Sequence, residues 1–177
     1  MLSIRNILLL LFFTAIASGC TDILAFDLTT ELDEITVPGD ELAHQNHIAI
    51  DMSKIDNTGF QVQLSGVQGD LDLLAMRLYV TESALSGPND RDNFDFLQSL
   101  TITIVPLNNS TLQPMVLGTW DGPGPAGIEE LELTVESPPN LTEYISSGAR
   151  FEVNLTGIVP SDEISIGGDI TFLVNPV

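Results

Sequence analysis

The chain has 177 residues, with 25 acidic and five basic side chains and a formal net charge of −20 at neutral pH. So acidic a protein lacks the basic face that displaces counterions from nucleic acid, and the charge also opposes electrostatic binding to anionic lipid. Hydrophobic residues make up 44% of the chain, enough for the core of one domain, and a single cysteine excludes a framework of intramolecular disulfides.

The N-terminus has the layout of a secretory signal peptide over residues 1–19. Arg5 precedes an apolar run at residues 7–16, and small residues follow it. The last of these belong to the sequence Ala17-Ser18-Gly19-Cys20, which resembles the lipobox of bacterial lipoproteins.

This resemblance implies cleavage just before Cys20, with a diacylglyceryl group on its sulfur and a further acyl chain on its new amino group. Thr21 at the next position, rather than aspartate, favours an address at the outer membrane. Two alternatives stay open: an ordinary signal peptide with a free cysteine nearby, and an uncleaved membrane helix. The apolar run is about half of the ~20 residues that a membrane helix needs.

The sequence predicts one domain after the signal peptide. Residues 20–46 would hold the lipid anchor and an N-terminal segment with a first strand around Phe26, where alternate residues are apolar. Residues 47–177 would form the remainder of the domain.

The only two histidines, His44 and His47, fall between this first strand and the next apolar segment. Zinc sites use three or four protein ligands, and no cysteine is available to complete one here. We interpret both as surface histidines in a loop.

Period-two alternation of apolar residues predicts most of the other elements. The predicted strands lie around residues 48–52, 60–64, 74–80, 100–104, 115–120, 129–136, 151–156 and 164–174. A turn signal at residues 57–59 predicts a hairpin of the first two, and the loop at residues 157–163 predicts a hairpin of the last two. One short helix is predicted between Asn140, as its cap, and Gly148.

Eight to nine short strands with one short connecting helix are typical of an all-β protein. We expect an antiparallel β-sandwich of immunoglobulin-like type. Such sandwiches carry many unrelated activities, so this expectation does not predict a function.

The segment around residues 89–95 contains three acids, Asp90, Asp92 and Asp95. Calcium is bound by flexible loops of oxygen ligands, and these three carboxylates could contribute to a calcium site. The alternative is a solvated loop between strands, because an acidic chain brings carboxylates together by chance.

Trp120 is the only tryptophan and stands just before a loop rich in glycine and proline. Its ring could stack on a ligand such as a sugar. The alternative that we favour is an aromatic plug at the end of the core.

No nucleophile elbow or phosphate-binding glycine loop is found, and we predict no enzymatic activity. The run Asp92-Asn93-Phe94-Asp95-Phe96-Leu97 and the predicted closing hairpin are similar to those of small bacterial lipoproteins of myxobacterial type, a resemblance that implies no particular activity.

The first hypothesis is a lipid-anchored envelope protein that binds the bilayer through acylated Cys20 and an unknown protein or glycan partner, without a cofactor. The alternative is a calcium-dependent adhesion or carbohydrate-binding module.

Overall fold

The computed structural model of the protein describes residues 25–55, 59–61, 69–81, 92–107, 111–136 and 141–175. Nine strands follow in chain order: β1 (Phe26–Val37), β2 (Gly59–Gln61), β3 (Asp70–Thr81), β4 (Leu97–Pro106), β5 (Met115–Asp121), β6 (Glu130–Glu132), β7 (Thr134–Val135), β8 (Ala149–Gly157) and β9 (Ile164–Asn175). The described residues also form the helices α1 (Glu41–Gln45) and α2 (Thr142–Ser147) and the 3-10 turns Met52–Lys54 and Phe94–Phe96.

The strands form two antiparallel sheets, with the orders β1-β9-β3-β6 and β2-β8-β4-β5-β7. Alternate residues of β9 are buried, with the parity that the sequence predicts: Ile164, Ile166, Ile170, Phe172 and Val174. These side chains belong to the same hydrophobic cluster as Ile102 of β4 and Phe151 of β8, so the two sheets share one core. The predicted all-β antiparallel sandwich is therefore confirmed.

Strand β3 contains an irregularity that the alternation does not show. Its pairing with β9 shifts register between Leu73 and Ala75, which leaves Leu74 as an extra residue. Because one extra residue reverses the side-chain alternation, Leu74 is 46% exposed, while Met76 is buried. The alternation of Leu74, Met76, Leu78 and Val80 in the strand predicted at residues 74–80 puts Leu74 on the buried face with Met76, and this part of the prediction is wrong.

Both predicted hairpins are wrong. Strands β8 and β9 follow each other in the chain but lie in different sheets, so residues 157–163 connect the two layers. Residues 48–52 form no strand, and only Ala49 makes an isolated bridge, with Ile158. Strand β2 pairs instead with β8. Alternation identifies the buried face of a strand but not the strand next to it. The predicted strand pairs were wrong for this reason.

The predicted strand at residues 129–136 divides into β6 and β7, which belong to different sheets. Between them, the amide of Leu133 donates to the carbonyl of Met76 at 3.0 Å. The amide of Glu136 then donates to the carbonyl of Leu117 on the opposite sheet, at 2.9 Å. This segment therefore closes one side of the sandwich.

The predicted short helix is present as α2, and Gly148 follows it with a φ of 85°. Its capping residue is Leu141, without a side-chain hydrogen bond, and the expected cap Asn140 lies outside the described residues. A second helix, α1, was not expected. Asp40 caps it by accepting a hydrogen bond from the amide of Ala43.

The two ends of the sandwich differ in what covers them. Phe26 at the start of β1 pairs with Val174, at the end where α2 packs, which we call the α2 end. Val37 at the close of β1 pairs with Ile164 at the opposite end. That second end, the loop end, is built from residues 38–55, 92–96, 121–128 and 157–163.

Candidate functional site

An acidic pocket of about 210 Å³ opens at the loop end. Its polar lining includes His44, Asp92, Asn93, Asp95 and Asp162. These residues come from three separate segments of the chain, so the connections between sheets create the pocket. We take it as the candidate functional site.

One wall of the pocket is held by close contact between the α1 segment and residues 157–163. A side chain on Gly39 would overlap the backbone of Asp162, so the two segments touch directly. The amide of Asp40 donates to the carbonyl of Pro160 at 3.0 Å. The ring nitrogen Nδ1 of His44 lies 3.0 Å from the carbonyl oxygen of Val159. These contacts fix His44 and Asp162 on the same side of the pocket.

The facing wall is the 3-10 turn that precedes β4. Phe94 and Phe96 are buried, and their ring centroids lie 6.4 Å apart. Asn93 caps the turn by accepting a hydrogen bond from the amide of Asp95 at 2.9 Å. The Asp95 carboxylate accepts a hydrogen bond from the amide of Gly127 at 2.7 Å. Asp95 therefore has a structural role, because it ties the turn to the loop at residues 121–128.

Asp92 differs from its neighbours in the pocket. Its Oδ1 atom is buried and has no hydrogen-bond partner among the described residues. Burial raises the pKa of Asp92 above the ordinary value of 3.8, and the negative charge of Asp162 raises it further. Such an oxygen gains stabilisation from a proton, a cation or a hydrogen-bond donor.

Only two of the three carboxylates of the predicted acidic site belong to the described residues. Asp92 and Asp95 line the pocket, whereas Asp90 lies outside the described residues. Within the described ranges, no three side chains of His, Cys, Asp and Glu are grouped to hold a metal ion. The sequence interpretation missed His44 and Asp162 as members of this pocket, since neither has a local motif.

The two histidines do not form a common group. His44 is half-buried within α1, against the prediction of a surface loop, whereas His47 is exposed after the helix, with a φ of 55°. The Ser161 hydroxyl donates to Asp162 at 3.1 Å, and Nδ1 of His44 lies next to the Val159 carbonyl. Neither of these two hydrogen bonds joins Ser161 to His44.

Trp120 is half-buried and packs against the core at the end of β5. A side chain on Gly122 would overlap its ring, and one on Gly124 would lie 3.2 Å from its Cζ2 atom. The ring therefore fills the space beside a glycine-rich loop. This packing supports its interpretation as a plug of the core.

Cys20, the predicted lipidation site, lies outside the described residues. In the ranges that are described, neither helix has the length and apolar character needed to cross a membrane. Comparison with family models and with curated proteins finds no match to this sequence.

Proposed function

We propose that this protein is a lipid-anchored envelope module that binds a partner at its loop end and has no enzymatic activity. The observation that carries the proposal is the direction of β1. This strand starts six residues after Cys20, at the α2 end, and finishes at the loop end. Its twelve residues span about 40 Å at about 3.4 Å per residue.

An anchor on Cys20 would therefore hold the α2 end towards the bilayer and present the acidic pocket to the opposite side. The net charge of −20 opposes close contact between the protein body and anionic headgroups, so the acyl chains would provide the attachment. Two or more acyl chains give stable membrane attachment without help from the protein surface. The address that follows from Thr21 is the bacterial outer membrane, and the partner is a protein or a glycan rather than nucleic acid.

The anchor is tested by intact-mass spectrometry of the protein purified from the membranes of a bacterial lipoprotein-processing host. We expect the mass of a chain that begins at Cys20 plus two or three acyl chains. Cys20→Ser should lack this mass and leave the membrane fraction, whereas the matched variant Ser18→Ala should keep both. An unmodified thiol on Cys20 would overturn the proposed attachment.

The alternative, a calcium-dependent adhesion or carbohydrate-binding module, is favoured by one observation: the buried Oδ1 atom of Asp92 has no hydrogen-bond partner in the described part of the chain. In this alternative Asp90, Asp92 and Asp95 would hold calcium, and Trp120 would contribute to stacking on a ligand. A bound hard cation would neutralise the carboxylates that burial and Asp162 disfavour.

Calorimetry and thermal unfolding with millimolar calcium distinguish the alternatives, because an ion that binds only the folded state raises its stability. The alternative predicts binding heat and a higher melting temperature that Asp92→Asn abolishes. Asp33→Asn, an exposed acid on β1, should leave both unchanged. No heat and no change in melting temperature would eliminate the alternative.

For the fold type, the strand orders support a jelly roll more than the expected immunoglobulin-like sandwich. Immunoglobulin-like sheets place the first two strands side by side, and likewise the last two. Here β1 and β2 lie in different sheets, as do β8 and β9. Without the two-residue β7, each sheet has four strands, as in an eight-stranded jelly roll. Nuclear Overhauser contacts between β1 and β9 test this order, and contacts between β8 and β9 as sheet neighbours would overturn it.

A further inference from the structure

A second concave surface lies far from the loops, on the outer face of the sheet β1-β9-β3-β6. This sheet groove has a volume of about 520 Å³, within the range typical of ligand sites. Its floor comes from β1, β3 and β9, and its wall from residues 132–135, where the chain crosses between the sheets. Strands rather than loops therefore form the floor of this groove, so the side chains there are held more firmly than those on loops.

The central polar element of the groove is an ion pair between neighbouring strands. Both Nε and Nη2 of Arg77 donate to Oδ2 of Asp169, at 3.3 and 2.8 Å. Asp169 is only 18% exposed, whereas Arg77 is 47% exposed. The hydrogen bonds to Asp169 raise the pKa of the guanidinium above its ordinary value. The pair thus presents donors and acceptors in a fixed arrangement.

The next row of the same face carries hydroxyl groups. Thr29 of β1 pairs with Thr171 of β9, and their Oγ1 atoms lie 3.0 Å apart. Since residues two apart on a strand point to the same face, Thr171 follows Asp169 at about 7 Å. Two hydroxyls therefore adjoin the ion pair along the groove.

Apolar surface flanks these polar rows on both sides. The bulge in β3 leaves Leu74 exposed on the outer face, where it lines the groove. In the other direction, the ring of Tyr79 lies over Gly167, and a side chain there would approach its Cε2 atom to 3.0 Å. The absence of a side chain at Gly167 therefore lets an aromatic ring lie close to the sheet.

The charges of the groove select the class of ligand. Arg77 is balanced by Asp169, and Glu130 and Glu132 of β6 are nearby on the same edge. An anionic ligand would be repelled by these carboxylates and by the net charge of −20, whereas a cationic ligand on the groove floor would lie beside the guanidinium, which already occupies the more buried carboxylate, Asp169. A neutral ligand with many hydroxyls avoids both penalties and can pair with donors and acceptors alike.

We propose that the sheet groove binds a neutral oligosaccharide, with Arg77, Asp169 and Thr171 contacting its hydroxyls and Leu74 contacting its apolar C–H faces, and that Tyr79, outside the groove on the same face, extends this contact. This inference goes beyond the proposed anchoring function. It depends neither on acylation of Cys20 nor on calcium.

The test is titration calorimetry of the purified full-length protein, in excess EDTA, with four neutral hexasaccharides: β-1,4-glucose, α-1,4-glucose, β-1,4-mannose and β-1,4-N-acetylglucosamine. We expect at least one to bind with a dissociation constant of about 1 mM or tighter. Thr171→Val removes a hydroxyl at similar volume, and Arg77→Gln removes the charged donor. Each should weaken binding about fivefold or more, as the loss of one hydrogen bond predicts.

Arg150→Gln is the matched control, because Arg150 also pairs with a carboxylate, Glu152, but lies on the other sheet. It should leave binding unchanged, and Cys20→Ser should do the same. Melting temperatures close to that of the unsubstituted protein would show that the groove variants fold. Absence of binding by all four sugars, binding that requires calcium, or binding unaffected by both groove substitutions would overturn the proposal.

Discussion

The two ends of the sandwich differ in how fully their buried polar atoms are paired by hydrogen bonds. At the α2 end, the Thr142 hydroxyl donates to the carbonyl of Gly69 at 2.9 Å and accepts from the amide of Leu71 at 3.0 Å. The Tyr144 hydroxyl donates to the carbonyl of Gln113 at 2.7 Å, and Leu141 beside it is fully buried. Among the described residues of this end, no buried side-chain nitrogen or oxygen lacks a hydrogen-bond partner, as a purely structural closure requires.

The loop end keeps features that stability alone would not select. Among the described residues, the buried side-chain oxygens without a hydrogen-bond partner are Oδ1 of Asp92 and Oγ1 of Thr81, and Thr81 pairs with Ser165 near this end of the sandwich. A cavity of about 460 Å³ beside α1 adds to the acidic pocket. Groups that destabilise a fold are concentrated at functional sites, so the difference between the ends supports the loop end as the binding end.

Leu141→Ala should have the largest effect, because it opens a cavity under α2. We expect a loss of about 2–5 kcal/mol in the free energy of unfolding, measured by urea denaturation. Leu42→Ala is the matched change at the loop end, where that side chain is 70% exposed, and should cost less than about 0.5 kcal/mol. Similar losses of stability in both variants would contradict the proposed difference in packing between the α2 end and the loop end.

Gly39→Ala tests how firmly the loop end is closed. The new methyl group would overlap the backbone of Asp162, so we expect a loss of about 1–3 kcal/mol in the same measurement. Gly127→Asn is a suitable control, since an added Cβ atom would have no described neighbour within 4 Å and asparagine tolerates a positive φ. If Gly39→Ala left the free energy of unfolding unchanged, residues 157–163 would have to move away from α1 at little cost.

Asp92→Asn should stabilise the protein at neutral pH, in contrast to the two changes above. Because the native pKa of Asp92 lies above 3.8, the folded state binds the proton more tightly than the unfolded chain. Stability therefore falls as the pH rises from 3.8 through the raised value, and the loss persists at neutral pH.

The expected gain is about 1 kcal/mol, which corresponds to about 2–4 °C in melting temperature by scanning calorimetry. It should disappear well below pH 3.8, where Asp92 is protonated in the folded and in the unfolded state. Asp33→Asn controls for the general relief of negative charge and should give a smaller gain. Equal gains in the two variants would show that Asp92 is not specially destabilised.

Lys54→Gln should have the smallest effect. Lys54 lies 3.9 Å from Asp51 at the loop end, and the two side chains are 73% and 52% exposed. Exposed pairs of this kind contribute less than about 1 kcal/mol, so urea denaturation should detect little change. A larger loss would mean that ion pairing, rather than close packing of loops, holds this end together.

The sequence predicted the strands better than their arrangement. Alternation in β9 correctly identified its buried face, because burial of one face alone imposes that pattern. The pairing of Thr29 with Thr171 joins residues 142 positions apart, and no local pattern reports such a neighbour. Likewise, the exposure of Leu74 depends on a bulge whose signal is absent from the apolar periodicity.

The candidate sites show the same limit. The density of acids pointed to Asp92 and Asp95, but the partner that perturbs Asp92 is Asp162, in a distant connection between sheets. The ion pair of Arg77 with Asp169 spans 92 positions. Only the strand order brings these side chains together, so residues alone predicted part of the acidic pocket and none of the sheet groove.

The position of Trp120 gives this protein a built-in optical reporter. As the only indole in the chain, it packs at the loop end against the glycine-rich segment that Asp95 secures through Gly127. Its emission spectrum therefore follows the polarity around this one segment. Occupancy of the acidic pocket that shifts the segment would change the emission wavelength, while a sugar in the distant sheet groove would leave it constant.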